Sequence, residues 1–239
     1  MNPILLFDMD GTLIIQKNTP EYEGTKTHHA TYMLIKKQMK KIIINYGIPE
    51  DKIIHLNRMA LIWNKTRRYL EQEGVNENGI RKLIDKINVP FMIEERKDHS
   101  QSILLQETIP VLNKLKNEGY ELGLVTTASR ESYEKISKDP SFGKFGKYFK
   151  NSITRDDCKY IKPDPEPIHR ILKLYDNKNF IYIGDSDHDA FATQAAGGKF
   201  ILVNSREYDN ETLGLITPNY VIESLLELPD AIKQLMKES

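Results

Sequence analysis

Acidic and hydroxyl side chains follow several short apolar stretches of this 239-residue chain, and one lysine lies in a proline-rich turn between two of them. If these groups converge, the carboxylates raise one another's pKa and oppose ionisation. A hard divalent cation with oxygen ligands relieves that repulsion, and Mg²⁺ is the usual choice beside a phosphate. The pattern therefore predicts a magnesium site that handles a phosphoryl group. The candidates are Asp8, Asp10, Thr126, Thr127, Lys162, Asp185, Asp187 and Asp189.

The two carboxylates of the first group can divide the chemistry between them. Asp8 directly ends an apolar run, so it could bind metal with one oxygen and attack phosphorus with the other, because carboxylates form acyl phosphates. Asp10 lies two residues on and could protonate the leaving oxygen, then activate water. Its backbone carbonyl is also placed to reach the metal. Gly11 permits the tight turn that this arrangement needs.

The remaining candidates would bind the phosphoryl group or the cation. Thr126 can donate a hydrogen bond to a phosphoryl oxygen, and Lys162 can neutralise charge that develops there. Asp185 can bind the metal, and Asp189 can support the metal shell. Thr127 is either a second phosphate contact or a turn-forming residue. Asp187 is better explained as a helix-start residue than as a ligand.

Four short apolar runs must position these groups: residues 4–7, 122–125, 180–183 and 200–203. Each is almost continuously apolar, which is typical of parallel strands covered on both faces. Helical patterns at 110–118, 166–175 and 189–196 separate them. This alternation predicts an α/β fold with a doubly wound, Rossmann-like parallel sheet. Ligands of such sheets lie at the carboxyl ends of the strands, which is where the candidate residues occur.

Residues 17–100 have a different pattern from the rest of the chain. They contain helical patterns at 28–46, 51–73 and 79–87 and no convincing buried strand. A long helical block between the first and second strands is typical of an inserted domain. We therefore predict a catalytic core from residues 1–16 and 101–239, with a helical cap domain at 17–100.

Four motifs in order resemble those of the haloacid dehalogenase superfamily, whose members are mostly phosphatases. Asp-x-Asp-Gly-Thr matches residues 8–12, and an apolar strand ending in Thr matches 123–126. A Lys-Pro-x-Pro context matches 162–165, and Gly-Asp-Ser-x-x-Asp matches 184–189. The inserted helices resemble the cap of the phosphoglycolate phosphatase and β-phosphoglucomutase branch. By resemblance, such a cap closes over the active site and selects the substrate.

The expected function is a Mg²⁺-dependent phosphomonoester hydrolase that acts on a small phosphorylated metabolite through an aspartyl-phosphate. A phosphomutase of the β-phosphoglucomutase type would use the same intermediate, and the four motifs do not separate the two. A phospho-acceptor signalling domain would also combine an acidic pocket with a hydroxyl and a lysine. The Asp-x-Asp-Gly-Thr run and the large insertion both argue against that alternative.

Composition restricts the partners and the setting. The chain has 34 Lys and Arg and 34 Asp and Glu, so it lacks the basic excess typical of nucleic-acid binders. Cys158 is the single cysteine, which excludes an intramolecular disulfide and fits a cytoplasmic location. The first apolar run is too short for a signal peptide or a membrane span. We expect a small-molecule phosphate ester as partner, with no nucleic acid and no membrane.

Overall fold

A computed structural model describes residues 2–16, 25–204 and 210–237 of the chain. Residues 17–24, the first of the predicted helical insertion, lie outside this part. The chain divides into two compact units. The sheet unit comprises Met1–Ile15, Ser102–Cys158 and Lys162–Ser239, and the helical unit comprises Gln16–Gln101 with Lys159–Ile161.

The sheet unit is built on six parallel strands flanked by helices, and this confirms the predicted α/β class. In chain order, its strands are β1 (Ile4–Phe7), β4 (Leu122–Val125), β5 (Asn151–Ile153), β6 (Phe180–Gly184), β7 (Lys199–Val203) and β8 (Tyr220–Ile222), and their spatial order is β5-β4-β1-β6-β7-β8. A separate two-stranded sheet contains β2 (Ile14–Gln16) and β3 (Ser102–Leu104). The helices of the sheet unit are α4 (Thr108–Asn117), α5 (Arg130–Ser137), α6 (Glu166–Leu172), α7 (Asp187–Ala195), α8 (Asn210–Ile216) and α9 (Leu228–Lys237).

Strand β1 lies at the centre of the sheet, and its side chains enter two different apolar cores. Leu5 and Phe7 pack into the core on one face, whereas Ile4 and Leu6 pack into the core on the other. Helices cover both faces, so neither face of the strand needs polar residues. This double coverage explains why the central strands are continuously apolar in sequence.

The helical unit contains α1 (Thr25–Tyr46), α2 (Met59–Gln72) and α3 (Glu77–Ser100). Their buried residues, among them Met39, Trp63 and Leu83, form a separate apolar cluster. Helix α2 starts at Met59, later than the pattern at 51–73 predicted, because residues 50–52 form a short 3₁₀ turn. Helix α3 continues through Pro90 to Ser100, beyond the predicted end at residue 87.

The segment Lys159–Ile161 groups with the helices, although the sequence placed it in the core domain. Ile161 is buried within the apolar cluster of the helical unit, which accounts for this grouping. Among the described helices, none combines the length and apolarity that a membrane crossing requires.

Candidate active site

The carboxyl ends of β1 and β6 bring Asp8 and Asp185 together. The two strands are in parallel register, with Phe7 opposite Ile183, and the Asp8 amide donates to the Ile183 carbonyl at 2.9 Å. Asp8, Asp185 and Asp189 each offer a carboxylate oxygen within 4.8 Å of the others, and all three residues are buried. The predicted convergence of these carboxylates is thus present in the structure.

Gly11 allows the turn after β1 to approach Asp185. Its φ is +85°, in the left-handed region that favours glycine. A Cβ atom built at this position would lie 2.2 Å from Oδ2 of Asp185. The turn is closed by the Gly11 amide, which donates to the Ile14 carbonyl at 2.8 Å. A side chain at position 11 would therefore displace a carboxylate of the site.

Lys162 provides a buried positive charge among these carboxylates. Its ammonium donates to Oδ1 of Asp8 at 2.7 Å, to Asp189, and to the Val125 carbonyl at 3.1 Å. Burial alone would lower the pKa of Lys162, but the adjacent Asp189 and Asp8 carboxylates outweigh it and hold the pKa well above its usual range. The lysine is therefore charged at neutral pH.

The pKa values of the two contacting carboxylates move in opposite directions. Burial raises the pKa of Asp8 well above its ordinary range, against the opposing charge of Lys162, and the nearby charges of Asp189, Asp185 and Asp10 raise it further. Burial also opposes ionisation of Asp189, but the charge of Lys162 and hydrogen bonds from Lys162 and Ser186 hold its pKa below the usual value. Three carboxylates beside one ammonium leave an excess of negative charge, which a bound cation would compensate.

Asp189 is fixed at the start of α7 by a reciprocal capping arrangement. Ser186 is the N-cap residue and its hydroxyl accepts from the Asp189 amide at 3.3 Å. In return, Oδ2 of Asp189 accepts from the Ser186 amide at 3.1 Å. Asp187 occupies the first turn of the same helix, as expected of a helix-start residue.

Two of the sequence candidates follow β4. The buried Thr126 hydroxyl accepts from the Ala128 amide at 3.0 Å, which leaves its own proton available to donate. Thr127 is half-buried, and its carbonyl accepts from Nη1 of Arg155 at 2.8 Å. The turn thus directs the Thr126 oxygen toward the backbone, and Arg155 holds the next residue.

Sequence reasoning missed two buried residues at this site. The Tyr182 hydroxyl accepts from Lys162 at 2.8 Å and donates to the Val125 carbonyl at 2.7 Å. Burial is the largest cause that raises the pKa of Tyr182 well above its usual range. Arg155 is almost completely buried behind the Thr127 turn. The one available signal was a tyrosine within the otherwise aliphatic end of β6, since buried tyrosine hydroxyls usually find a partner.

The fold and the site define a class: an α/β enzyme with a buried carboxylate and lysine centre at the carboxyl edge of a parallel sheet. Residues 5–203 match the family described as haloacid dehalogenase-like hydrolase, so the chain belongs to that family. The positions of the seven predicted site residues fall within this range: Asp8, Asp10, Thr126, Thr127, Lys162, Asp185 and Asp189. Their roles stay a prediction. The resemblance inferred from the four motifs is confirmed, and so is the expectation of a hydrolase.

Several named relatives and solved structures match this chain over nearly its whole length and nearly all of their own. The chain is 28% identical over 232 residues to Pyrophosphatase PpaX of Bacillus mycoides (strain KBAB4), covering 94% of each chain. It superimposes on a hydrolase from Pseudomonas syringae with a TM-score of 0.58 at 20% identity, over 98% of this chain and 99% of the other. A HAD phosphatase from Thermococcus onnurineus gives a TM-score of 0.54 at 23% identity, over 95% and 96%. These structural similarities support the fold.

Proposed function

We propose that this chain is a Mg²⁺-dependent phosphomonoester hydrolase that acts on a small phosphorylated metabolite through an aspartyl-phosphate on Asp8. The observation that carries the proposal is the buried contact of Lys162 with Asp8, beside the carboxylates of Asp185 and Asp189. A strand-end carboxylate held by an ammonium beside other carboxylates suits attack on a phosphoryl group. Because Cys158 is the single cysteine, the proposal includes a cytoplasmic setting.

The proposed cation ligands are Asp8 and Asp185, with the Asp10 carbonyl and Asp189 in support. The first two offer buried oxygens close together, and Asp189 already bonds to Lys162 and Ser186. Hard oxygen donors of this kind suit Mg²⁺ beside a phosphate. When bound, the ion would neutralise charge on the phosphoryl oxygens and on the surplus carboxylates.

The proposed reaction has two displacements at phosphorus. An oxygen of Asp8 bonds to phosphorus while the bond from phosphorus to the ester oxygen breaks, and Asp10 gives its proton to that leaving oxygen. Asp10 then takes a proton from water, whose oxygen bonds to phosphorus and breaks the bond to Asp8. Thr126 and Lys162 stabilise the phosphoryl oxygens in both steps, and Thr127 is a candidate for a further contact.

Inorganic pyrophosphate is a second candidate substrate for the same site. The observation that favours it is the similarity to proteins named Pyrophosphatase PpaX over more than nine-tenths of the chain. Pyrophosphate carries a phosphate leaving group instead of an alcohol, so it needs less help from a general acid than an alkyl ester does. Asp8 would attack it in the same way.

The test is phosphate release from a panel of small phosphomonoesters and pyrophosphate, with Mg²⁺ or with EDTA. We expect release with Mg²⁺ only, and an Asp8→Asn variant should lose at least about 10³-fold in turnover, as expected on loss of a nucleophile. An isomerised sugar phosphate without free phosphate would indicate a mutase instead. Full Mg²⁺-dependent turnover by Asp8→Asn would refute the aspartyl-phosphate.

A further inference from the structure

The segment Lys159–Ile161 directly precedes Lys162 and is held by the helical unit through its backbone. Oδ1 of Asn64 in α2 accepts from the Ile161 amide at 2.9 Å, and Nδ2 of Asn64 donates to the Ile161 carbonyl at 2.7 Å. Asn64 and Ile161 are both buried. One side-chain amide thus satisfies both polar backbone groups of Ile161, in the same way as a paired strand would.

Other contacts of the helical unit hold the same segment at its earlier residues. Nε1 of Trp63 donates to the Lys159 carbonyl at 3.2 Å, and the Lys159 ammonium lies 3.3 Å from Glu77. The Tyr160 hydroxyl bonds to Glu71, and the guanidinium of Arg68 lies 5.1 Å from the centre of the Tyr160 ring. The position of this segment is therefore set by α2 and the start of α3.

The Asn64 contact reaches Lys162 through a single rigid group. The carbonyl of Ile161 and the amide nitrogen of Lys162 belong to the same peptide bond, which is planar and resists rotation. A hydrogen bond to that carbonyl therefore fixes the orientation of the peptide plane, which also contains Cα of Lys162. At its other end, the Lys162 side chain must place its ammonium between Asp8 and Asp189.

We propose that Asn64 is a positioning residue for Lys162: by fixing the peptide plane between Ile161 and Lys162, it keeps the ammonium on Asp8. Its catalytic consequence rests on the proposed function, because Lys162 is there assigned to the phosphoryl group. Within the part of the chain that the structure describes, the side chain of Asn64 makes its hydrogen bonds to the backbone of Ile161. Small displacements of a catalytic group can cost about 10²-fold in rate, so a loss of this contact should be visible in kcat.

A double-mutant cycle separates positioning from mere stabilisation. Asn64→Ala should lower kcat about ten-fold or more in the wild-type background, yet by less than about two-fold in a Lys162→Ala background, because residues that act through one another are not additive. Trp63→Phe is the matched control, since it removes a hydrogen bond from the same helix to the same segment, but at Lys159. It should leave kcat within about two-fold. Equal losses in both backgrounds, or an equal loss in Trp63→Phe, would overturn the proposal.

Hydrogen exchange gives a readout that does not depend on turnover. Asn64→Ala should accelerate exchange of the Ile161 amide, whereas Trp63→Phe should leave it protected. If the wild-type protein releases no phosphate from any substrate, the proposed function fails, and exchange still decides whether Asn64 holds this peptide. Unchanged protection in Asn64→Ala would refute the inference. If that variant does not fold, Asn64→Asp loses only the donor to the Ile161 carbonyl and keeps the acceptor for its amide. Its kcat should then fall in the wild-type background, while exchange of the Ile161 amide stays slow; an unchanged kcat would refute the inference.

Discussion

Lys162 contacts Asp8 and Asp189 together, and this places one ammonium within a group of three buried carboxylates. The lysine alone does not balance the three carboxylates, and the pKa of Asp8 is raised by its burial and also by the charges of the neighbouring carboxylates. At the scale of single residues, the three carboxylates could therefore hold a further cation. The same surplus means that a change in any of these side chains alters the ionisation of the others.

Gly11 is a residue whose replacement should damage the site without removing a functional group. Gly11→Ala adds a methyl group that would meet Asp185, and it also strains a backbone with φ of +85°. We expect loss of most activity and a lower free energy of unfolding, by about 1 kcal/mol or more from the backbone alone. Turnover and thermal unfolding measure the two effects.

Gly119→Ala is the matched control for this change. Gly119 has φ of +83°, nearly that of Gly11, but a Cβ atom there would meet nothing within 4 Å. The control should show the backbone strain and keep its activity. Equal activity in the two variants would contradict the assigned contact between the turn and Asp185.

The positions of three candidate residues could be predicted because each of the three follows a recognisable apolar strand. Asp8, Thr126 and Asp185 come directly after β1, β4 and β6, and parallel strands place their carboxyl ends at one edge. Tyr182 and Arg155 were not predicted, because their roles depend on which backbone carbonyl lies within reach. That information exists only after the chain has folded.

At the scale of elements, the cap at the N-terminus of α7 includes Asp189, a residue of the candidate site. The capping contacts between Ser186 and Asp189 fix the same carboxylate that contacts Lys162. Ser186→Ala should lower the free energy of unfolding by about 1 kcal/mol, as is typical for loss of a serine cap. It should also lower kcat, because Asp189 loses its contacts with the Ser186 hydroxyl and keeps only the bond from the Ser186 amide at that end. Denaturant unfolding and turnover together test this.

Ser224 offers a control for the capping change. It forms a similar reciprocal arrangement with Glu227 at another short helix, and its hydroxyl contacts Glu107 and Leu226, neither of which is proposed for catalysis. Ser224→Ala should reduce stability to a similar degree and leave kcat unchanged. A fall in kcat in this variant equal to that in Ser186→Ala would contradict a specific role for the α7 cap.

The central elements of the fold could be predicted from sequence, and the edges could not. The four apolar runs all form strands, but the three-residue strands β5 and β8 at the sheet edges were missed. Edge strands are covered less completely, so they need no continuous apolar run. Helix α7 begins at Asp187 and not at residue 189, because the cap at Ser186, and not the apolar pattern, sets its start.

At the scale of the whole molecule, cation binding should raise the free energy of unfolding. A ligand that binds only the folded state adds RT ln(1 + [L]/Kd), about 2.7 kcal/mol at a hundred times its Kd. Mg²⁺ should therefore raise the melting temperature of the wild-type protein. Asp185→Asn should lose this shift, because it removes a proposed ligand.

Asp230→Asn is the control for the stability shift, since the Asp230 side chain is largely exposed on α9. It changes the net charge by the same amount and should keep the full Mg²⁺ effect. An undiminished shift in Asp185→Asn would show that the ion binds elsewhere. Calorimetry at fixed ionic strength excludes general screening by salt.

The inserted helices form a compact unit of their own, together with Lys159–Ile161. Their patterns predicted a helical domain, but no residue pattern indicated that Lys159–Ile161 would join it. That assignment depends on burial of Ile161 and on the Asn64 contacts, which link residues almost a hundred positions apart. Contacts across such separations leave no local periodicity in sequence.

The most direct measurement of the central claim is chemical trapping of the intermediate on Asp8. Asp10→Asn should accumulate the aspartyl-phosphate when given p-nitrophenyl phosphate and Mg²⁺, because this leaving group needs no proton while hydrolysis still lacks its base. Borohydride reduces an acyl phosphate to the alcohol with loss of phosphate, and peptide mass spectrometry should then find Asp8 converted to homoserine. Continued turnover with an unmodified Asp8 after reduction would contradict the aspartyl-phosphate mechanism.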